Sequence, residues 1–183
     1  SVQSYSENAY DEEDLELLQA LADHCSGALQ RAHAEEDLRR SEARTAAFAN
    51  LAYQLNSVTT PPEAGKVIAH AADELIGWDA CFIDLYSHGE DVTFDILNFD
   101  TVNGRKVTYL PDPNPRAPTP IARRILEEGA FMILRQPAEM GKAEATVFGD
   151  VTKRSLSLLY VPARKGERVV AFISIQSYAP KAY

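Results

Sequence analysis

Apolar residues in the first third of the chain recur at helical spacing. The acidic run 11–14 predicts a helix start, because Asp11 can cap the helix and carboxylates stabilise the positive end of its dipole. No proline interrupts residues 11–60, so we predict one helix from about Glu12 to about Ser57. Its apolar positions follow steps of three and four, the pattern of a coiled-coil seam: Leu15, Leu18, Ala22, Cys25, Leu29 and Ala32.

Two further helices are bounded by capping residues. Thr60 and Glu63 match a capping box, and Gly77 follows the last apolar position of that helix. Thr119 and Gly129 bound a shorter helix in the same way. The apolar residues between each pair of signals fall on one helix face, so we predict that both helices pack against a sheet.

The remaining apolar runs have the composition of strands, rich in β-branched and aromatic residues. The last two runs flank a short polar connection containing Gly166, which predicts a closing hairpin. We expect Gln136–Asp150 to be irregular. The predicted strands are Asp79–Tyr86, Val92–Phe99, Arg105–Leu110, Phe131–Leu134, Ser155–Ala163 and Arg168–Tyr178.

The end of the chain repeats its beginning. Ser174–Tyr183 matches Ser1–Tyr10 at an offset of 173, with six of ten positions identical. Self-similarity at a long fixed offset indicates repeated structural modules. We therefore predict that the chain is cut from two successive modules, with residues 1–44 belonging to the first and residues 45–183 to the second.

Composition and charge argue against several classes of function. The chain has 183 residues, 45% of them apolar, and a net charge of −9. Residues 1–44 hold eleven acids and four bases (−7), and residues 45–183 hold sixteen and fourteen (−2), so neither part offers the basic surface that nucleic acids require. No run of eighteen apolar residues is present, so we expect no membrane contact. Two cysteines without CxxC spacing argue against disulfides and favour the reducing cytoplasm.

The motifs of the common enzyme classes are missing from the sequence. The nine glycines are never closer than eight residues, which excludes a local phosphate-binding loop or dinucleotide fingerprint, and neither GxSxG nor HExxH occurs. The four histidines are dispersed, so we expect no metal and no cofactor. Cys81 alternates with Ile83 and Leu85 on an apolar strand face, which predicts a buried structural thiol. We therefore expect no enzymatic activity.

Three stretches resemble a GAF domain, the small-ligand-sensing module of signalling proteins. The stretch Leu55–Ala80 is similar to its opening helix and first strand, Thr119–Gly129 to its central helix, and Ser155–Ser177 to its closing hairpin. Residues 1–33 resemble the final strand and helix of a preceding GAF domain. The resemblance thus implies that residues 1–44 are the last strand, final helix and linker of that domain, and that residues 45–183 are a GAF-like domain without its own final helix. Ala171 stands where the family usually has glycine. The resemblance implies an α+β fold, with an antiparallel sheet, long N-terminal helices on one face, and short helices and loops on the other.

Candidate ligand-binding residues come from one strand and from the resemblance. Phe82, Asp84 and Tyr86 alternate on one face of the first strand, and an apolar face with a few polar groups is typical of small-molecule sites. In the alternative interpretation, Phe82 and Tyr86 fill the core and Asp84 faces water. The resemblance adds four further candidates: Asn98, Tyr109, Arg123 and Tyr160.

The resemblance also implies a role in signal transduction. We expect a sensory domain of a larger bacterial protein, such as one of a two-component system, that binds a small ligand or partner. It would relay the signal through a helical homodimer to an output domain in the same chain, such as a histidine kinase or diguanylate cyclase. The dimer helix would use Leu15, Leu18, Ala22, Cys25 and Leu29. The alternative is a structural dimerisation module without a ligand, and the helix could instead dock on its own chain.

Overall fold

The computed structural model describes residues 1–7, 9–136 and 152–183, and the chain divides into two units, Ser1–Ala46 and Ala47–Tyr183. The helix α1 (Glu12–Leu55) begins in the first unit, as the sequence predicts. The Asp14 amide donates to the Asp11 carboxylate at 3.0 Å, which confirms the predicted cap. No residue of α1 is buried. The described residues before α1 form no strand, and the predicted final strand of a preceding module stays a prediction because its partner strands would belong to that module.

Among the described residues, the second unit contains the end of α1, two further helices and six strands. The two further helices of this unit are α2 (Pro61–Leu75) and α3 (Pro120–Glu128). Its strands pair antiparallel in one six-stranded sheet of order β3-β2-β1-β6-β5-β4, which confirms the α+β fold class. Apart from Gln136, the predicted irregular segment Gln136–Asp150 lies outside the described residues. The strands are β1 (Ala80–Ser87), β2 (Val92–Val102), β3 (Arg105–Tyr109), β4 (Phe131–Leu134), β5 (Ser157–Lys165) and β6 (Arg168–Ser177).

Helix α2 covers one face of the sheet. Cys81 and Ile83 of β1 form a buried cluster there with Leu97 of β2, and the predicted burial of the Cys81 thiol is confirmed. Burial raises the pKa of this thiol to about 12. Trp78 extends the cluster, and its indole N–H donates to the Ala69 carbonyl at 2.9 Å. The α2 face is therefore an apolar core, with its one thiol protonated at neutral pH.

Helix α3 covers the opposite face. The Thr119 hydroxyl accepts a hydrogen bond from the Ala122 amide at 3.2 Å, and Gly129 ends the helix at φ 87°, so both predicted boundaries are confirmed. Ile125 of α3 packs against Leu158, Tyr160, Val169 and Phe172. None of the described helices is long and apolar enough to span a bilayer.

Candidate functional site

The α3 face of the sheet changes from apolar to polar at strand β2. Phe82 and Asp84 point to this face, and their antiparallel partners on β2 are Asn98 and Asp95. A register shift between Ile83 and Asp84 leaves Ile96 as the extra residue of a β-bulge. Since directly opposed residues share a sheet face, the bulge brings two carboxylates side by side on the α3 face.

Arg116 reaches this face from the segment that follows β3. Its backbone pairs with Thr93 of β2, with N···O distances of 2.8 and 3.0 Å, so the segment is fastened to the edge that β3 leaves uncovered. The guanidinium Nη2 donates to Asp84 Oδ2 at 2.9 Å, and Nη1 lies 4.0 Å from Asp95 Oδ2. One guanidinium therefore faces two carboxylates. We call Asp84, Asp95, Asn98 and Arg116 the acid–arginine cluster.

Asp95 also connects the cluster to neighbouring backbone. Its Oδ2 accepts a hydrogen bond from the Asn98 amide nitrogen Nδ2 at 2.6 Å and from the Asp112 backbone N–H at 3.3 Å. The segment carrying Asp112 and Arg116 is thus held to β2 by side-chain and backbone contacts. The acid–arginine cluster forms only when this segment, β1 and β2 are all in place.

The carboxylates of the cluster are buried and incompletely hydrogen-bonded. Asp84 is 5% exposed, and the side chain of Asp95 is 6% exposed. Within the described part of the chain, Oδ1 of each carboxylate and Nε of Arg116 are buried with no hydrogen-bond partner. Burial raises the pKa of Asp84 to about 6, against the lowering effect of Arg116 and with a further rise caused by Asp95.

An aromatic wall adjoins the cluster on the same face. The ring of Tyr160, itself 2% exposed, has its centroid 6.3 Å from that of Phe82 and 5.1 Å from that of Phe131. Tyr86 and Phe172 extend this wall, with centroids 5.5 Å apart. Tyr160 and Phe172 belong to the core that α3 covers, whereas Phe82 and Phe131 are half-buried. Buried carboxylates beside half-buried rings can bind a ligand that has a polar group at one end and an apolar group at the other.

The structure groups some of the predicted ligand residues and separates others. Phe82, Asp84, Asn98 and Tyr160 share the α3 face as described above. Phe82 and Tyr86 pack against the buried cluster under α3, as the alternative interpretation states. Asp84 is buried, so the part of that interpretation in which it faces water is wrong, and its contact with a ligand stays a prediction. Tyr109 is the half-buried last residue of β3, opposite Asn98.

The ring of Tyr86 lies on the α3 face, but its hydroxyl meets Arg123 at a different place, the turn between β1 and β2. The Tyr86 hydroxyl donates to Asp91 Oδ1 at 2.8 Å, and Arg123 makes a bidentate ion pair with the same carboxylate at 2.8 and 2.5 Å. This pair is exposed and fastens α3 to the turn. We conclude that the polar group of Arg123 is engaged away from the acid–arginine cluster.

Sequence reasoning missed Asp95 and Arg116. Asp95 is a lone acid among apolar residues of a predicted strand, and that position was a signal available in the sequence. Arg116 lies in a proline-rich segment, and its pairing with β2 joins residues 23 positions apart, which no local pattern indicates. In the described residues, no three histidine, cysteine or acidic side chains are placed to hold a metal ion.

Comparison with known proteins bears on the fold. No family model matches the sequence, and no curated protein matches it. Among solved structures, the GAF domain of a phosphoenolpyruvate-protein phosphotransferase from Acinetobacter is similar at 11% identity and TM-score 0.52, over 76% of this chain and 79% of that one. The corresponding domain from Coxiella burnetii gives 12% and 0.50, over 74% and 77%.

A third similar structure is a methyl-accepting chemotaxis protein, residues 122 to 287. It matches at 11% identity and TM-score 0.52, over 74% of this chain and 84% of that one. At this identity the likeness concerns the fold. The six-stranded antiparallel sheet, with α2 on one face and α3 on the other, gives this chain a GAF-like fold.

Proposed function

We propose that this chain contains a sensory domain of a larger signalling protein, which binds a small ligand on the α3 face of its sheet. The observation that carries the proposal is the acid–arginine cluster, with two buried carboxylate oxygens lacking hydrogen-bond partners among the described residues. The similar solved structures include a chemotaxis protein and phosphotransferase GAF domains, which favours a signalling role.

The energetics of the cluster favour ligand binding over a purely structural role. A buried polar group without a partner costs about 1–3 kcal/mol, and a buried charge costs more. Apolar side chains of similar volume often stabilise a core better than a buried ion pair does. A sheet face that only needed to pack against α3 would be more stable with apolar residues at Asp84 and Asp95. A ligand that completes their hydrogen bonds gives these residues a function.

Transmission would use helix α1. Four leucines of its first half, Leu15, Leu18, Leu21 and Leu29, are 44–69% exposed in the single chain. Complete burial of a leucine stabilises by about 1.5–3 kcal/mol, so a second copy of the helix would gain several kcal/mol by covering them. Ligand binding would shift the packing of these helices only if the ligand has different affinities for two arrangements. The output domain in the parent chain would be a histidine kinase or diguanylate cyclase of the bacterial cytoplasm.

We propose no catalytic role for this domain. Cys81, the one cysteine of the second unit, is buried, and its raised pKa keeps the thiol protonated at neutral pH. A protonated thiol is a weak nucleophile. Nucleophilic chemistry at Cys81 is therefore disfavoured.

Native mass spectrometry of protein purified from cells tests the proposal. We expect a small molecule bound to the wild-type chain, and its loss in Asp84→Asn. Glu90→Gln is the matched control, because Glu90 is an exposed acid in the turn after β1 and removing its charge leaves the cluster unchanged. A wild-type protein without any bound molecule, and without a shift in melting temperature in a metabolite screen, would favour the ligand-free dimerisation module instead.

A further inference from the structure

We infer that the ligand of this site carries a protonated amine joined to an aromatic or other apolar group. The inference rests on the proposed function and names the chemical class that the α3 face accepts. Two parts of that face carry it, the acid–arginine cluster and the aromatic wall beside it. The acid–arginine cluster selects the charge of the ligand, and the aromatic wall selects its apolar group.

The charge of the cluster selects a cation. Asp84 and Asp95 contribute two carboxylates, and Arg116 contributes one guanidinium, so the ionised cluster has a net charge of −1. In a buried setting, a charge without a counter-charge is costly. An amine cation would bring the sum to zero. An anion would add a second uncompensated negative charge next to two carboxylates.

The unpaired atoms specify the hydrogen bonds. Oδ1 of Asp84 and Oδ1 of Asp95 are both acceptors, and each belongs to a side chain at least nine-tenths buried. An ammonium group has three N–H donors, enough for both oxygens. The remaining donor, Arg116 Nε, can take a neutral acceptor such as a hydroxyl without changing the charge balance. The mixture of unpaired acceptors and one donor distinguishes the cluster from a solvated group of acids.

The aromatic wall suits the rest of such a ligand. Phe82 and Tyr160 lie on the same sheet face as Asp84, and Phe131 continues the ring contacts. Aromatic faces attract cations by about 0.5–2 kcal/mol and pack well against apolar groups. The neighbouring carboxylates and rings therefore favour the same ligand.

Three probes of similar size test the inference: 2-phenylethylamine, 2-phenylethanol and phenylacetate. Isothermal titration calorimetry with the full chain at pH 7.5 should show the amine binding at least tenfold more tightly than the alcohol and the carboxylate. Asp84→Asn and Asp95→Asn should each weaken amine binding at least tenfold, while Glu90→Gln should leave it unchanged. The comparison among probes uses the wild-type protein alone, so it holds even if a cluster variant fails to fold.

The outcomes separate this inference from the proposed function. If phenylacetate or phenylethanol binds as tightly as the amine, or if the amine binds equally well to both aspartate variants, the assignment of a cation is overturned. Absence of binding by all three probes overturns it as well. In each case a different molecule found on the purified protein by native mass spectrometry would still support a ligand site on the α3 face.

Discussion

The ionisation of Asp84 is coupled to folding. Its pKa is raised from 3.8 to about 6 by burial, so the folded chain binds more protons than the unfolded chain between these values. The contribution of Asp84 to stability therefore increases as pH falls through about 6 toward 4, and the ionised form destabilises the fold at neutral pH. Since other acids titrate in the same range, the effect is measured against a variant that lacks only this group.

We expect the free energy of unfolding of wild type, relative to Asp84→Asn, to rise by about 2 kcal/mol when the pH is lowered from 7.5 to 4.5. Urea denaturation at several pH values measures this difference. The Glu90→Gln control should show a pH profile close to that of wild type. Parallel profiles for wild type and Asp84→Asn would show that the environment of Asp84 does not raise its pKa.

At the scale of elements, the close approach of α2 to the sheet depends on Gly65. A Cβ built at Gly65 would lie 3.4 Å from Leu97 Cδ2 and 3.7 Å from Ile83 Cδ1, so one methyl group fits and a larger side chain does not. Gly65→Ala should be neutral or stabilise by up to about 1 kcal/mol, because alanine favours the helix. Gly65→Leu should destabilise by about 1–3 kcal/mol through overpacking. The urea denaturation midpoints of the two variants measure both effects. Equal midpoints for Gly65→Ala and Gly65→Leu would show that α2 lies farther from β2 than in the structure.

The predicted and observed ends of the helices and strands show which parts of the fold are specified by the local sequence. Capping residues gave the starts of α1 and α3 correctly, since Asp11 and Thr119 act within one helical turn. Strand β2 was predicted to end at Phe99 but continues to Val102. The predicted strand ended just before Asp100, because a charged residue is uncommon inside a strand. In the structure, Asp100 is buried and accepts a hydrogen bond from the Tyr178 hydroxyl. The local pattern of polar and apolar residues does not indicate a hydrogen-bond partner 78 positions away in the sequence.

At the scale of the whole molecule, the candidate site was predictable only in part. The alternation along β1 identified Phe82 and Asp84 as a shared face, because side-chain direction in a strand is a local property. The bulge at Ile83 and Asp84 and the pairing of Arg116 with β2 arise from contacts between distant segments. The charge balance of the site, on which the ligand class depends, therefore became visible only in the folded chain.

The assembly of the molecule is tested through the leucines of α1. We expect wild-type protein to sediment as a dimer, because the exposed leucines gain about 1.5–3 kcal/mol each on complete burial. Changing Leu18 and Leu29 together to aspartate places four carboxylates in the dimer seam and should yield monomers in analytical ultracentrifugation. The matched control is Leu110→Asp, since Leu110 is also exposed but lies outside α1.

A parallel dimer predicts a second property of the same helix, which can be tested independently. Cys25 belongs to the predicted seam and is exposed in the single chain, so two copies should place their Cys25 thiols close enough for a disulfide. Mild oxidation should then give a covalent dimer in wild type and Cys81→Ser but not in Cys25→Ser. An antiparallel pair would sediment as a dimer without this cross-link, and it would not carry a signal from two ligand sites toward the same end of the helices. Unchanged mass of the Leu18 and Leu29 double variant would reject both arrangements.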